Sequence, residues 1–234
     1  MHAIFSWMKR FWVYIFCICL ATGAQAQIHE IGVFMGGSNF IGDVGATDYI
    51  KPKEPAYGIM YRWNKSPRHS WRFSYIQSNL AADDADSEIE ARQERNYHFN
   101  NLVREFSAGL EFDFFNFDMH DSKPQATPYV HTGLSYIMYD GLYFDNGKDK
   151  SYGSRSSFAI PMTVGFKGRI FDIFVLGFEV GARATFRDDI DGSNPSGTKY
   201  KAAKFGNLTS KDWYTFTGFT LTYTFGDRPC FCAQ

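Results

Sequence analysis

Residues 213–225 read WYTFTGFTLTYTF. From Phe219 onward the alternation is strict. Phe219, Leu221, Tyr223 and Phe225 stand against Thr220, Thr222 and Thr224, so a strand built on them has one aromatic and aliphatic face and one hydroxyl face. A soluble sandwich would turn the apolar face onto a second sheet, whereas a membrane barrel turns it outward to lipid and keeps the polar face in the lumen. Phe225 ends the stretch just before Gly226 and a short tail, as the last strand of a bacterial outer-membrane barrel does when it is presented for insertion. Gly218, Leu221 and Tyr223 fit that pattern, and Phe216 breaks it by placing an aromatic where a polar residue is expected.

At the other end of the chain, Lys9 and Arg10 precede an apolar run from Phe11 to Leu20, and Ala24-Gln25-Ala26 supplies small residues ahead of Gln27. This reads as a Sec-type signal peptide, residues 1–26, cleaved near Ala26; the run is shorter than the roughly 20 residues of a spanning helix. Cys17 and Cys19 fall inside the removed segment, and neither follows the Leu-small-small pattern of a lipoprotein signal. Residues 27–226 suffice for one barrel, and residues 227–234 form a C-terminal tail. Lys and Arg total 24 against 25 Asp and Glu, so no basic surface points to nucleic acid. Aromatic residues make up 18% of a chain that is polar on average, a combination natural to alternating strands and awkward for transmembrane helices.

Seven further segments repeat the alternation. Residues 30–37 set Ile31, Val33 and Met35 to one side, and PAYGIMYRWN does the same with Tyr57, Ile59, Tyr61 and Trp63. After the turn at Lys65 to Arg68 come Trp71, Phe73 and Tyr75. The polar stretch from Asn79 to Arg104 reads as a solvated loop with room for a short helix; nothing in its spacing favours a cation or lipopolysaccharide site. Strands follow at Glu105 to Phe115, at Tyr129 to Met138, around Ala159 to Phe166, and from Leu176 to Arg187. Pro161 signals a bulge or a local break in pairing. The connections alternate long, short, long, short, long, short, long, with Tyr139 to Ser156 and Asp188 to Asp212 among the long ones. A sandwich has no reason for that alternation. A barrel entered from a periplasmic N-terminus puts every long connection outside and every short one inside. The predicted fold is all-β: an eight-stranded antiparallel transmembrane β-barrel of the outer-membrane type, with short periplasmic turns and long outer loops.

With the apolar stripes facing lipid, Arg62, Arg72, Glu111, Asp113, His131, Lys167, Glu179, Arg183 and Arg187 point into the lumen. An eight-stranded barrel is just wide enough to be filled by side chains, so these residues are expected to pair as a plugging ionic network. Glu111 with Asp113, and Glu179 with the arginines, could form an acid/base site, but interior charges in a barrel wall are more often structural and no Ser-His-acid order stands out. We expect no catalysis, cofactor, metal or small-molecule substrate. RDDIDGSNP at 187–195 lacks calcium-loop spacing because Gly192 directly follows Asp191; an Asx-Gly turn accounts for it. Cys230 and Cys232 would emerge in the oxidising periplasm one residue apart, where the choices are a strained pair, metal capture, an intermolecular disulfide or an incidental tail.

HEIGVFMGGSNFIGDVG, PAYGIMYRWNKSPR, TPYVHTGLSYIMYDGLY, EVGARATFRDDIDGSNP and KFGNLTSKDWYTFTGFTLTYTFGDRPCFC occur in this order through nearly the whole chain after residue 26. Together they resemble the PorG-type outer-membrane proteins of the type IX secretion system of Bacteroidota, least so in the acidic loop after Leu80. The resemblance implies a non-enzymatic barrel among outer-membrane lipids that docks on the periplasmic ring of the PorK lipoprotein and PorN. The turns at Lys65 to Arg68, Phe117 to Thr127 and Arg169 to Asp172, with residues 227–234, would be the docking face. Rival trades for such a barrel are a small pore, an adhesin or a lipid-modifying enzyme. A soluble lipocalin-like barrel would need the apolar stripes turned inward.

Overall fold

The computed structural model describes residues 28–119, 123–145, 148–171 and 173–226. Eight strands, β1 (Ile28–Ile41), β2 (Glu54–Ser66), β3 (His69–Asp83), β4 (His98–Asp113), β5 (Ala126–Asp145), β6 (Lys148–Ile170), β7 (Phe174–Thr185) and β8 (Trp213–Phe225), form an antiparallel meander closed into a barrel. The ring is sealed where β1 meets β8, from His29↔Phe225 to Ile41↔Trp213. Gly36 and Gly218 face each other across that seam. A Cβ on either would lie 2.9 Å from the ring tip of Phe34, so the glycine pair makes room for an aromatic side chain laid against the inside of the wall.

Side chains obey the period of two. Ile31, Val33, Met35, Ile59, Phe73, Phe106, Leu110, Val164, Phe178, Phe219 and Leu221 are all exposed, while the intervening positions are buried in the barrel. Cross-strand ring pairs tie this outer face together, among them Tyr75 with Phe106 at 4.7 Å and Phe178 with Phe219 at 5.2 Å between centroids. In water such a surface would be an aggregation site; in a bilayer it is the lipid contact of an outer-membrane barrel.

The sequence reading holds in outline and fails at several ends. β3 and β4 run well into the polar stretch from Asn79 to Arg104, leaving only a three-residue 3-10 turn (Asp84–Asp86) and the short helix α1 (Glu90–Arg95) between them. The expected long loop from Tyr139 to Ser156 is largely strand: β5 and β6 continue above the rim as a hairpin that brings Asp145 opposite Lys148, with a register shift at Gly141/Leu142. Gly, Asp and Lys punctuation hid a ladder that continues beyond the lipid, where strands no longer need a greasy face. At Pro161 the β5–β6 ladder skips from Thr132↔Met162 to Ser135↔Ala159 without changing register, because proline has no N–H to give β5. The break occurs, and the bulge does not.

Val164 lies on the lipid-facing part of β6, between exposed Met162 and Phe166. Val164→Arg is expected to destabilise the barrel by about 2–4 kcal/mol when folding is measured by urea titration in lipid vesicles, and Val164→Leu to leave it within ~0.5 kcal/mol.

Candidate functional site in the sealed lumen

The periplasmic half of the lumen is an ion-pair lattice. Long cationic side chains from β2, β3 and β6 meet carboxylates on β1, β4 and β7, some on a neighbouring strand, as Arg62 with Glu30, and some across the lumen, as Arg72 with Glu179. Arg62 donates through Nε to Glu111 Oε2 at 3.0 Å and through Nη1 to Glu30 Oε2 at 3.1 Å. Arg72 forks onto Glu179 with two bonds of 2.7 Å, and the Tyr129 hydroxyl donates to the same carboxylate. Lys167 Nζ reaches Glu111 Oε1 at 2.7 Å and Asp113 Oδ1 at 3.0 Å. Arg62, Arg72 and Lys167 are at most 1% exposed, so their guanidinium and ammonium groups persist only because each meets a carboxylate. Below the lattice, Phe117 and Met119 from the β4–β5 connection pack with Ile28 and Val175, and Lys167 stands over the Phe117 ring.

The outer half is hydrophobic. Phe34, Phe40, Leu80, Phe99, Val103, Ile137, Tyr214 and Phe216 form one buried cluster inside the wall. Phe216, the residue that broke the alternation of β8, packs on Phe34 and Tyr214 and lies under the Arg183 guanidinium at 4.6 Å. Three connections then close the mouth. Asp84, fully buried, accepts from Gly45 N in the β1–β2 connection, from Tyr97 N and from Arg95. Arg92 and Arg95 on α1 donate to the carbonyls of Gly42, Asp43 and Gly45. The β7–β8 connection is pinned by Asn101 Nδ2 to Ile190 O at 2.7 Å and by the Tyr97 hydroxyl to Asp191 O at 3.0 Å. The expected solvated loop is therefore a lid, cross-braced by its own arginines.

Of the residues expected in the lumen, Arg62, Arg72, Glu111, Asp113, Lys167 and Glu179 come together in the lattice. Arg183 lies above it, paired with Glu105 at 3.3 Å. His131 is buried, and neither ring nitrogen has a hydrogen-bond partner. Arg187 is a correction: it lies two residues beyond the end of β7 at Thr185, its carbonyl accepts from Asp212 N at 3.0 Å, and its side chain is exposed in the connection that follows rather than pointing into the lumen. Glu30 and Glu105 were missed although both share the inward parity of their strands; each sits at the edge of its hydrophobic alternation, where the pattern is weakest. Cys230 and Cys232 lie outside the described residues.

Among the described residues, no group of three or more His, Cys, Asp or Glu side chains is arranged to hold a metal ion. In the β7–β8 connection Asp191 Oδ1 accepts from Ser193 N at 2.8 Å and Gly192 adopts φ +79°, the Asx-Gly turn read from the sequence. Burial, reinforced by Asp43 and Asp188, pushes the Asp191 carboxyl up from 3.8 to about 7. Burial and the Asp191 charge also raise Asp212 well above the carboxylate range.

Glu179→Gln leaves Arg72 half-paired in a dry lumen and is expected to cost about 3–5 kcal/mol in the same urea titration, whereas replacing Arg72 and Glu179 together by Leu costs much less. A carboxyl whose folded pKa is raised stabilises the folded lid fully below the unfolded value near 3.8 and loses that stabilisation as pH climbs through about 7. Limited proteolysis within residues 186–212 is therefore expected to quicken about tenfold between roughly pH 5 and pH 8, and Asp191→Asn to flatten that dependence.

No curated protein matches the chain. Among solved structures it is similar to Ail, the attachment invasion locus protein of Yersinia pestis, in complex with the heparin analogue sucrose octasulfate, at 12% identity and TM-score 0.47 over 86% of this chain and 100% of that one. It is similar to Neisserial surface protein A at 11% identity and TM-score 0.47, over 87% and 99%. The N-terminal β-barrel domain of Pseudomonas aeruginosa OprF gives 11% and 0.45, over 86% and 98%. A family model described as Domain of unknown function (DUF6089) matches residues 9–234, and the chain belongs to that family.

Proposed function

We propose that the protein is a non-enzymatic, non-conducting anchor in the outer membrane: a component of a type IX protein secretion system that holds the periplasmic PorK/PorN ring against the membrane. The observation that carries this reading is the sealed lumen. An ion-pair lattice, a hydrophobic plug and a lid stand in series along the barrel axis, so the surfaces left for a function are the two rims and the wall. The link to the secretion ring rests on the sequence resemblance to PorG-type proteins.

The periplasmic rim supports a docking role by its rigidity. Phe117 N donates to Pro67 O at 2.9 Å, Arg68 Nε to Asn116 Oδ1 at 2.6 Å, and Arg169 Nη1 to Met119 O at 3.1 Å, so the β2–β3 turn, the start of the β4–β5 connection and the end of β6 are tied together. At the tip of the β6–β7 turn, Phe171 holds φ +50° and is 85% exposed. An aromatic kept outside both core and wall at a sparsely populated backbone angle is suited to fill a pocket on a partner.

A photo-cross-linker at Phe171 is expected to capture a ring protein, and Phe171→Asp to lower co-purification of the ring about tenfold. Capture of lipid alone, or steady conductance steps from the purified barrel in planar bilayers, defeats the anchor. Cys230→Ser with Cys232→Ser, run on a non-reducing gel, reports separately whether docking includes a disulfide.

A further inference from the structure

The lipid-facing wall is not uniform. Along β4 the outward row reads Phe112, Leu110, Ala108 and Phe106, and then Arg104. Ala108 is the small member of that row, and its register partners are Phe73 on β3 and Leu134 on β5. Ala108 lines a broad apolar groove of about 850 Å³, open to the side, that is bordered by Ile31 and Ile59 as well as by Phe73, Phe106, Leu134 and Tyr136. Toward the outer rim the groove passes Tyr136 into a notch of about 350 Å³, where Arg104, Arg155, Asp140, Ser154 and Ser156 replace the hydrocarbon lining. Tyr136 borders both spaces.

The charges in the notch are only partly used. Arg104 is exposed and has no partner among the described residues. Arg155 is held loosely, its Nε 3.8 Å from Asp189 Oδ2 and its guanidinium 5.4 Å from the Tyr152 ring centre. Asp140, the one acid of the lining, receives the Ser154 hydroxyl at 3.4 Å. A guanidinium fork matches phosphate oxygens in pairs, and cationic side chains at the polar boundary of a bilayer meet lipid phosphates. A basic notch alone would suit any anion, and an apolar groove alone any acyl chain. Set end to end, with the charge on the headgroup side, they have the shape of one amphiphile.

We infer that groove and notch together bind one phosphorylated lipid of the outer leaflet, with its phosphate on Arg104 beside Arg155 and an acyl chain lying over Ala108. The test uses the mature full-length barrel in phosphatidylcholine nanodiscs doped with diphosphoryl lipid A or with its dephosphorylated form, followed by native mass spectrometry of the released complex. The barrel is expected to retain one diphosphoryl lipid A and about tenfold less of the dephosphorylated lipid, the loss of one charge-assisted contact. Arg104→Gln abolishes the preference, Arg104→Lys restores most of it, and Ala108→Leu, which raises the floor of the groove where the acyl chain lies, lowers retention of both lipids. Heat-shifted gel mobility checks that each variant is folded. Equal retention of the two lipids by the parent protein, or undiminished retention by folded Arg104→Gln or Ala108→Leu, overturns the assignment.

Discussion

A strand that crosses hydrocarbon has no water to satisfy its N–H and C=O groups, so every strand needs a neighbour on both sides. In this chain the condition is met only when the first strand finds the last, nearly two hundred residues away in sequence, as in the pairing of His29 with Phe225. Everything else follows from that ring. Closure makes an inside and an outside, the period of two assigns each residue to one of them, and the bilayer fixes which is apolar. At the seam Gly36 stands against Gly218, and the Phe34 ring lies against the space they leave.

The lumen then has to be filled twice, by different chemistry. Near the periplasm the filling is ionic. Burying Arg62, Arg72 and Lys167 carries a desolvation penalty that their pairing with Glu30, Glu111, Asp113 and Glu179 offsets. Such a lattice gives little net stability over a greasy core, but each cation reaches a carboxylate on another strand, so only one strand register satisfies them all. Toward the outside the filling is a hydrophobic core like that of a soluble protein, and the connections above it fold down as its cover. Arg92 and Arg95 brace that cover by joining α1 to the backbone carbonyls of the β1–β2 connection, beside the ion pair of Arg95 with buried Asp84.

The sequence reading was strongest where lipid imposes it. The stripes of β2, β4, β7 and β8 are legible because every second residue must be apolar, and the same parity predicted most of the lattice. It failed where that constraint lapses. The extended β5–β6 hairpin stands above the membrane, and its Gly, Ser and Lys residues read as loop. Arg187 shares the parity of Glu179 and Arg183, yet it lies past the end of β7 and its side chain is exposed, and where a strand leaves the wall is not written in a single strand. The hydrophobic upper lumen was visible only as exceptions, Phe34 and Phe216 on faces expected to be polar. Seen singly they look like noise; their contact is a tertiary fact.

Opening this lumen would require three separate events: withdrawal of the lid, dispersal of a buried aromatic cluster, and rupture of the Arg72–Glu179 fork in a low-dielectric interior. The three stand in series, so a ligand at one rim opens the lumen only if it has differential contacts that reach all three layers. A filled lumen is consistent with the attachment role proposed above, because it leaves the rims and the wall as the surfaces available for contacts. The departures from a plain cylinder support the same conclusion: the braced inner turns ending in Phe171 face the periplasm, and the notch beneath Arg104 faces the outer leaflet. On the two proposals above, a barrel held to lipid at one level and to protein at another would resist tilting, because the two contacts are separated along the barrel axis.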